Sequence, residues 1–279
     1  MFTRLTLEDL DLQIFPLPEV AWRVLSLTSN LEIESLLLEE VIERDPALVA
    51  RILERANSAQ FSVSGQVSTI HRAAVILGNR RLRSIAVLLS LEGIFGRTQL
   101  GQAVWEHSLA VGLASRELAR HCCFREEEEA FVAGLLHDIG KVVLDRCLST
   151  AYAQLVASSA EGGDTLLQAE RDTLGIDHTK VGAGLARKWE LPNHLEEVIL
   201  LHHAPPEATI DPDLCALVRT ANVTCRTLGI GTHSDEAVAP DIEPDPLFVL
   251  DAATVRQICE PVPVMLEAEA AYFGFPRHR

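Results

Sequence analysis

Residues Ala130–Leu144 read AFVAGLLHDIGKVVL, and the reading of this stretch decides the fold. An apolar run at helical spacing leads into His137-Asp138, which together offer a metal ion one nitrogen and one oxygen ligand. Neighbours on a helix diverge by about 100°, so both side chains can face one centre only where the chain turns. Ile139-Gly140-Lys141 is therefore expected to end the helix, with Gly140 supplying the turn and Lys141 bringing an ammonium near the pair. Upstream, Glu126–Glu129 suit the positive end of a helix dipole, so the helix is expected over Glu126–Asp138.

Outward from this stretch the chain reads as helices almost throughout. Val104–His121 carries Trp105, His107, Leu109, Val111 and Leu113 at helical spacing. Asp177 reads as the N-cap of a helix that runs to Trp189 and stops before Pro192. Asn193–His202 follows, closed by Ala204-Pro205-Pro206, and then Pro212–Leu228. Toward the N-terminus the pattern recurs from Leu17 to Leu27, from Ile33 to Ile42, from the cap Asp45-Pro46, and over 69–78 and 80–95, divided at Gly78-Asn79. Gly229–Pro246, rich in Gly, Pro and Asp, reads as a long loop, and Ala252–Phe273 as one helical tail. No stretch alternates as a half-buried strand would. The expectation is an all-α fold: a multi-helix bundle over 99–279 with an N-terminal helical subdomain over 14–98.

Bulk properties narrow the classes. The chain has 279 residues and a formal charge of −16. That balance argues against a nucleic-acid backbone as the main partner, because such binding relies on clustered Lys and Arg. The short basic stretch Arg80-Arg81-Leu82-Arg83 reads as a solvated helix start. No run reaches the apolar length of a membrane span, and the start lacks a signal peptide's order, so no membrane and a cytoplasmic location are expected. Six cysteines without Cys-x-x-Cys spacing read as reduced, mostly buried thiols.

His107, His137, Asp138, His178, His202 and His203 fall on four helical segments. Imidazole and carboxylate donors suit Fe, Mn, Zn, Ni or Co better than calcium, and bundle helices can project such ligands to a common centre. Each histidine also has a plain reading: a hydrogen-bonded core histidine at 107, a first-turn polar residue at 178, a cation at a helix C-terminus at 202 and 203. His71, His121, His194 and His233 receive only that plain reading.

The second half resembles the HD-domain metal-dependent phosphohydrolases, and the whole chain resembles the HDOD family, helical signalling-output domains related to HD-GYP phosphodiesterases. The N-terminal block carries the likeness in LPEVAWRVL, ERDPALVARILERANSAQF and IHRAAVILGNRRLRSIAVLLSL. The second block carries it in VWEHSLAVGLASRELA, FVAGLLHDIGKVVL, DHTKVGAGLARKWELP and VILLHHAPP. Coverage runs from Ile14 to Leu228, and the tail over 236–279 matches loosely.

The resemblance implies one or two divalent transition-metal ions held by His107, His137, Asp138, His178, His202 and His203, with Asp138 as the bridging ligand. It implies a phosphate contact for Lys141, and, if the chain is active, catalytic roles for Asp138 and Lys141 in attack by activated water on phosphorus. Two departures stand out. Asn222, in LVRTANVTC, replaces the closing aspartate of the HD pattern and offers a neutral oxygen. The segment after His203 reads APPEAT and lacks the Gly-Tyr-Pro signature of the cyclic-dinucleotide enzymes. Two functions follow as expectations: a signal-transduction or regulatory output protein that works through a protein partner, with a nucleotide or phosphate as pocket ligand, or an active metal-dependent phosphohydrolase on a nucleotide or other phosphoester.

Overall fold

The computed structural model describes residues 4–26, 31–58, 66–96, 98–124, 126–162, 165–231 and 250–273. All regular structure among these residues is helical, as the patterning predicts. His233 and most of the expected loop, with the segments 27–30 and 59–65, lie outside the described residues. The chain divides into two compact units, Pro16–Gly93 and a larger one made of Met1–Phe15 with Ile94–Arg279.

The smaller unit contains α1 (Glu19–Ser26), α2 (Leu31–Glu43), α3 (Pro46–Ala56), α4 (Ile70–Leu77) and most of α5 (Asn79–Phe95). Local chemistry sets their ends. The Asp45 carboxylate accepts from the N–H groups of Ala47 and Leu48, and Pro46 opens the first turn of α3. Gly78, at φ +81°, makes the break between α4 and α5 that a side chain would resist. Val24, Leu25, Ile42, Ile52, Ile70 and Leu82 are buried. The basic stretch at the start of α5 has a structural use: Arg83 donates to the carbonyls of Val24 and Leu25 at 3.1 and 3.3 Å, satisfying the last turn of α1.

The larger unit contains α6 (Gln99–His121), α7 (Glu127–Leu136), α8 (Ile139–Leu148), α9 (Thr150–Gly162), α10 (Leu166–Thr173), α11 (His178–Lys188), α12 (Asn193–Leu201), α13 (Pro212–Thr227), α14 (Ala252–Cys259) and α15 (Val262–Phe273). Helix α6 is its axis, packed by α7, α13, α14 and α15, while α11 packs on α8 and α12. The predicted cap at Asp177 holds, accepting from Lys180 N; Asp211, not singled out from the sequence, caps α13 likewise by accepting from Leu214 N, with Pro212 in the first turn. The N-terminal segment belongs to this unit, tied by Leu5 N to Leu174 O at 2.6 Å and by Trp189 Nε1 to Phe15 O at 2.8 Å.

Three expectations change. The helix expected over Glu126–Asp138 is α7 alone, and the chain turns at His137-Asp138 and resumes at once as α8. Gly140 does not stop a helix; it lies inside α8, where a Cβ would stand 1.9 Å from the His178 carbonyl oxygen and 2.7 Å from Gly182 N. Its smallness lets α8 and α11 touch backbone to backbone. The tail is two helices, α14 and α15, separated at Glu260-Pro261. Among the described residues all six cysteines are free thiols, and no helix is long and apolar enough to cross a membrane.

Candidate metal centre

The six sequence-predicted ligands come from four places in the larger unit. His107 projects from the middle of α6. His137 is the C-cap of α7, and Asp138 occupies the N-cap position of α8 without using its side chain there. His178 opens α11, and His202-His203 follow the last turn of α12. His107, His137, Asp138, His178 and His202 are buried, and His203 is half-buried. The structure brings all six together.

They form two groups: His107, His137 and Asp138, and His178, His202 and His203. Asp138 joins them. Its Oδ2 lies 3.2 Å from His137 Nε2 and 3.7 Å from His107 Nε2. Its Oδ1 lies 3.5 Å from His178 Nε2 and 3.6 Å from His202 Nε2. His178 Nε2 and His203 Nε2 are 3.2 Å apart.

The rings are aimed by their other nitrogens. Nδ1 of His107, His137 and His202 donates to the carbonyls of Ile230, Gly134 and Ile199 at 3.1, 2.7 and 3.0 Å. His178 Nδ1 donates to Glu170 Oε2 at 2.7 Å. Each Nε2 is thereby turned to the centre, the arrangement by which a second layer of groups orients metal-binding imidazoles.

Glu170 was not singled out from the sequence. It is fully buried, accepts from both the backbone N–H and the ring of His178, and accepts from Tyr152 Oη at 2.5 Å. A signal was present: Glu170 stands at four-residue spacing between Leu166 and Leu174, both buried, so an acid occupies an inward face. Asn222, on α13, is buried and its side-chain amide is hydrogen-bonded to His107 Nε2 at 3.0 Å. Lys141, buried, donates to Asp138 Oδ2 at 2.6 Å.

Electrostatics follow from this crowding. Burial alone would raise the Asp138 pKa, but His137, Lys141 and His178 outweigh it and hold the carboxylate well below its usual range. Burial, with His203 and His137 alongside, pushes His202 well below the usual imidazole value and keeps it neutral. Burial would also lower His178; Glu170 overrides this and raises it.

The donor set fits a divalent transition metal. His137 Nε2, His202 Nε2 and Asp138 Oδ1 are buried without a hydrogen-bond partner, which is costly unless something occupies the space they face. Ligands at about 2.0–2.1 Å from one ion lie roughly 3.0–3.4 Å apart, close to the separations found here. Two of the other histidines are paired with carboxylates: His194 with Glu129 at 2.6 Å and His71 with Glu39 at 3.2 Å.

The chain matches the HDOD domain family over residues 14–205. It resembles the crystal structure of an HDOD domain protein with unknown function from Geobacter sulfurreducens, with a TM-score of 0.79 at 25% identity, over 92% of this chain and 91% of that one. A structure from Shewanella amazonensis SB2B, provisionally designated a phosphohydrolase, shares the fold with a TM-score of 0.64 at 24% identity, over 94% and 93% of the two chains. An uncharacterized protein of Treponema pallidum (strain Nichols) is 27% identical over 231 residues, 77% of this chain, and the chain spans 43% of that relative's length. Helical architecture, the His-Asp centre and the match across both units lead to one assignment: the chain belongs to the HDOD domain family.

Proposed function

We propose that the chain is an HDOD-type signal-transduction output protein whose pocket holds one or two divalent transition-metal ions and whose surfaces engage a protein partner. The observation that carries the metal reading is Asp138, whose two carboxylate oxygens are divided between two pairs of inward-turned histidines. A divalent ion held there would supply Lewis-acid polarisation and lower the pKa of water in contact with it. The chain's own residues do the rest: Glu170 and the carbonyls of Ile230, Gly134 and Ile199 fix the imidazoles, and Lys141 offsets the Asp138 charge. The match to the HDOD domain family across both units supports the regulatory reading.

A second reading, an active phosphohydrolase on a nucleotide or other phosphoester, is favoured by the half-exposure of His203, which leaves one side of the centre accessible. Elemental analysis of protein purified without chelators, followed by a generic phosphodiester assay after loading with Mn or Fe, separates the readings. Metal with no turnover supports the regulatory role. Turnover abolished by His137→Ala and Asp138→Ala supports the enzyme. Protein that takes up no metal under any loading condition would refute both.

A further inference from the structure

The two halves of the centre are unequal, and the inequality rests on hydrogen bonds rather than on ligand count. On the side of His178, His202 and His203, the Asp138 oxygen that faces the imidazoles, Oδ1, has no hydrogen-bond partner, and neither does His202 Nε2. His178 is backed there by a carboxylate, Glu170, which is itself held by Tyr152. A carboxylate behind an imidazole makes it a stronger donor than a carbonyl does. This side also holds the half-exposed residue of the set, His203.

On the side of His107 and His137, His137 Nε2 is likewise without a hydrogen-bond partner, but the other two atoms are engaged. Asp138 Oδ2 is bonded to the Lys141 ammonium at 2.6 Å, and His107 Nε2 is bonded to the Asn222 amide at 3.0 Å. Both imidazoles are backed by neutral carbonyls. Charge points the same way. The charged side chains in these contacts are Asp138, Glu170 and Lys141, together −1. One divalent ion leaves this set at +1, and a second raises it to +3 in a buried place where charge is poorly screened.

We propose that, within the metal-binding reading above, this is an asymmetric centre: His178, His202, His203 and Asp138 Oδ1 hold one ion tightly, and Lys141 stands in as the counter-charge on Oδ2 where a second ion would bind. Lys141 and Asn222 together then act as the lock on the second position. The lysine's task is to set the metal stoichiometry, a role separate from any phosphate contact.

Cobalt(II) titration of chelator-stripped protein tests this, with elemental analysis for stoichiometry and visible absorption for the ligand field. The wild type is expected to take one tight equivalent, with any second weaker on the order of 100-fold. His202→Ala should lose the tight equivalent, whereas His107→Ala should keep it with its absorption spectrum unchanged. Lys141→Met, which keeps the volume and removes the charge, should bring in a second equivalent, and Lys141→Met with Asn222→Asp should tighten it further. Two equivalents of equal affinity in the wild type would overturn the asymmetry and leave the metal reading intact. Loss of the tight ion in His107→Ala but not in His202→Ala would overturn it too. Protein that binds no cobalt would overturn the metal reading itself. The wild-type stoichiometry and the His107/His202 contrast decide the matter even where the lysine variant fails to fold.

Discussion

Gly140→Ala is the sharpest perturbation of the way the fold carries the centre. The added Cβ would lie 1.9 Å from the His178 carbonyl oxygen, 2.8 Å from its carbonyl carbon and 2.7 Å from Gly182 N. All three are backbone atoms, so no rotamer change relieves the contact. To reach even a tight 3.0 Å approach, α8 and α11 must separate by about 1.1 Å, in an interior as dense as a molecular crystal. Overpacking at such a place costs about 3 kcal/mol, the upper end of its usual range. At roughly 2–4 °C per kcal/mol, the midpoint should fall by about 6–12 °C.

The carbonyl that must move is that of His178, so the centre should loosen as well. A ligand at a hundred times its Kd stabilises the folded state by about 2.7 kcal/mol, and this increment should shrink in the variant. Thermal unfolding by circular dichroism, with and without cobalt(II), reads both effects. Gly93→Ala is the control: nothing stands within 4 Å of its Cβ position, and a helix-interior Gly→Ala change should be neutral or stabilising by roughly 0.5–1 kcal/mol. A Gly140→Ala midpoint within 2 °C or so of the wild type, with the metal increment intact, would refute the backbone-contact argument.

Three further outcomes are expected. Glu170→Gln removes the carboxylate behind His178 and should weaken cobalt(II) binding by about 10–100-fold, with Tyr152→Phe producing a smaller loss of the same kind in the same titration. Asn222→Asp returns a negative charge beside His107 and should tighten metal binding; unchanged affinity would place Asn222 outside the metal's reach. Glu197 accepts from the N–H groups of Thr209, Ile210 and Asp211. Burial would raise its pKa, but these three donors lower it below the ordinary glutamate value of 4.5. The folded value is depressed, so the contribution is complete above pH 4.5 and is lost as pH falls through the lower folded value. Glu197→Gln should therefore cost about 2 kcal/mol in urea unfolding at neutral pH, and the difference from wild type should close in acid.

Much of the molecule was readable before folding because it is written in local chemistry. Asp45-Pro46 and Asp177 announce helix starts through a side-chain oxygen that reaches N–H groups two or three residues on. Gly78 marks a break because only glycine adopts its φ cheaply. The six candidate ligand positions were legible from residue type, from their place on four helical segments and from the family resemblance. Gly140 was misread for the opposite reason. A glycine that ends a helix and one that admits a neighbouring backbone look the same in a single chain, and only the approach of α11 tells them apart.

The sequence by itself determined the helical class and the positions of the caps, since each depends on spacing within a few residues, and its resemblance to a known family nominated the six candidate ligands. Tertiary structure alone decided what those residues do to one another: that Lys141 and the histidines compete for one carboxylate, that Glu170 and Tyr152 stand behind His178, and that the residues before Phe15 pack with the larger unit. Lys141 meets Asp138 from three residues away and Glu170 meets His178 from eight, but His107 and His202 reach Asp138 from helices far along the chain. Hydrogen bonds and charge contacts act over a few ångströms of space, and sequence order does not encode that distance until the helices have packed.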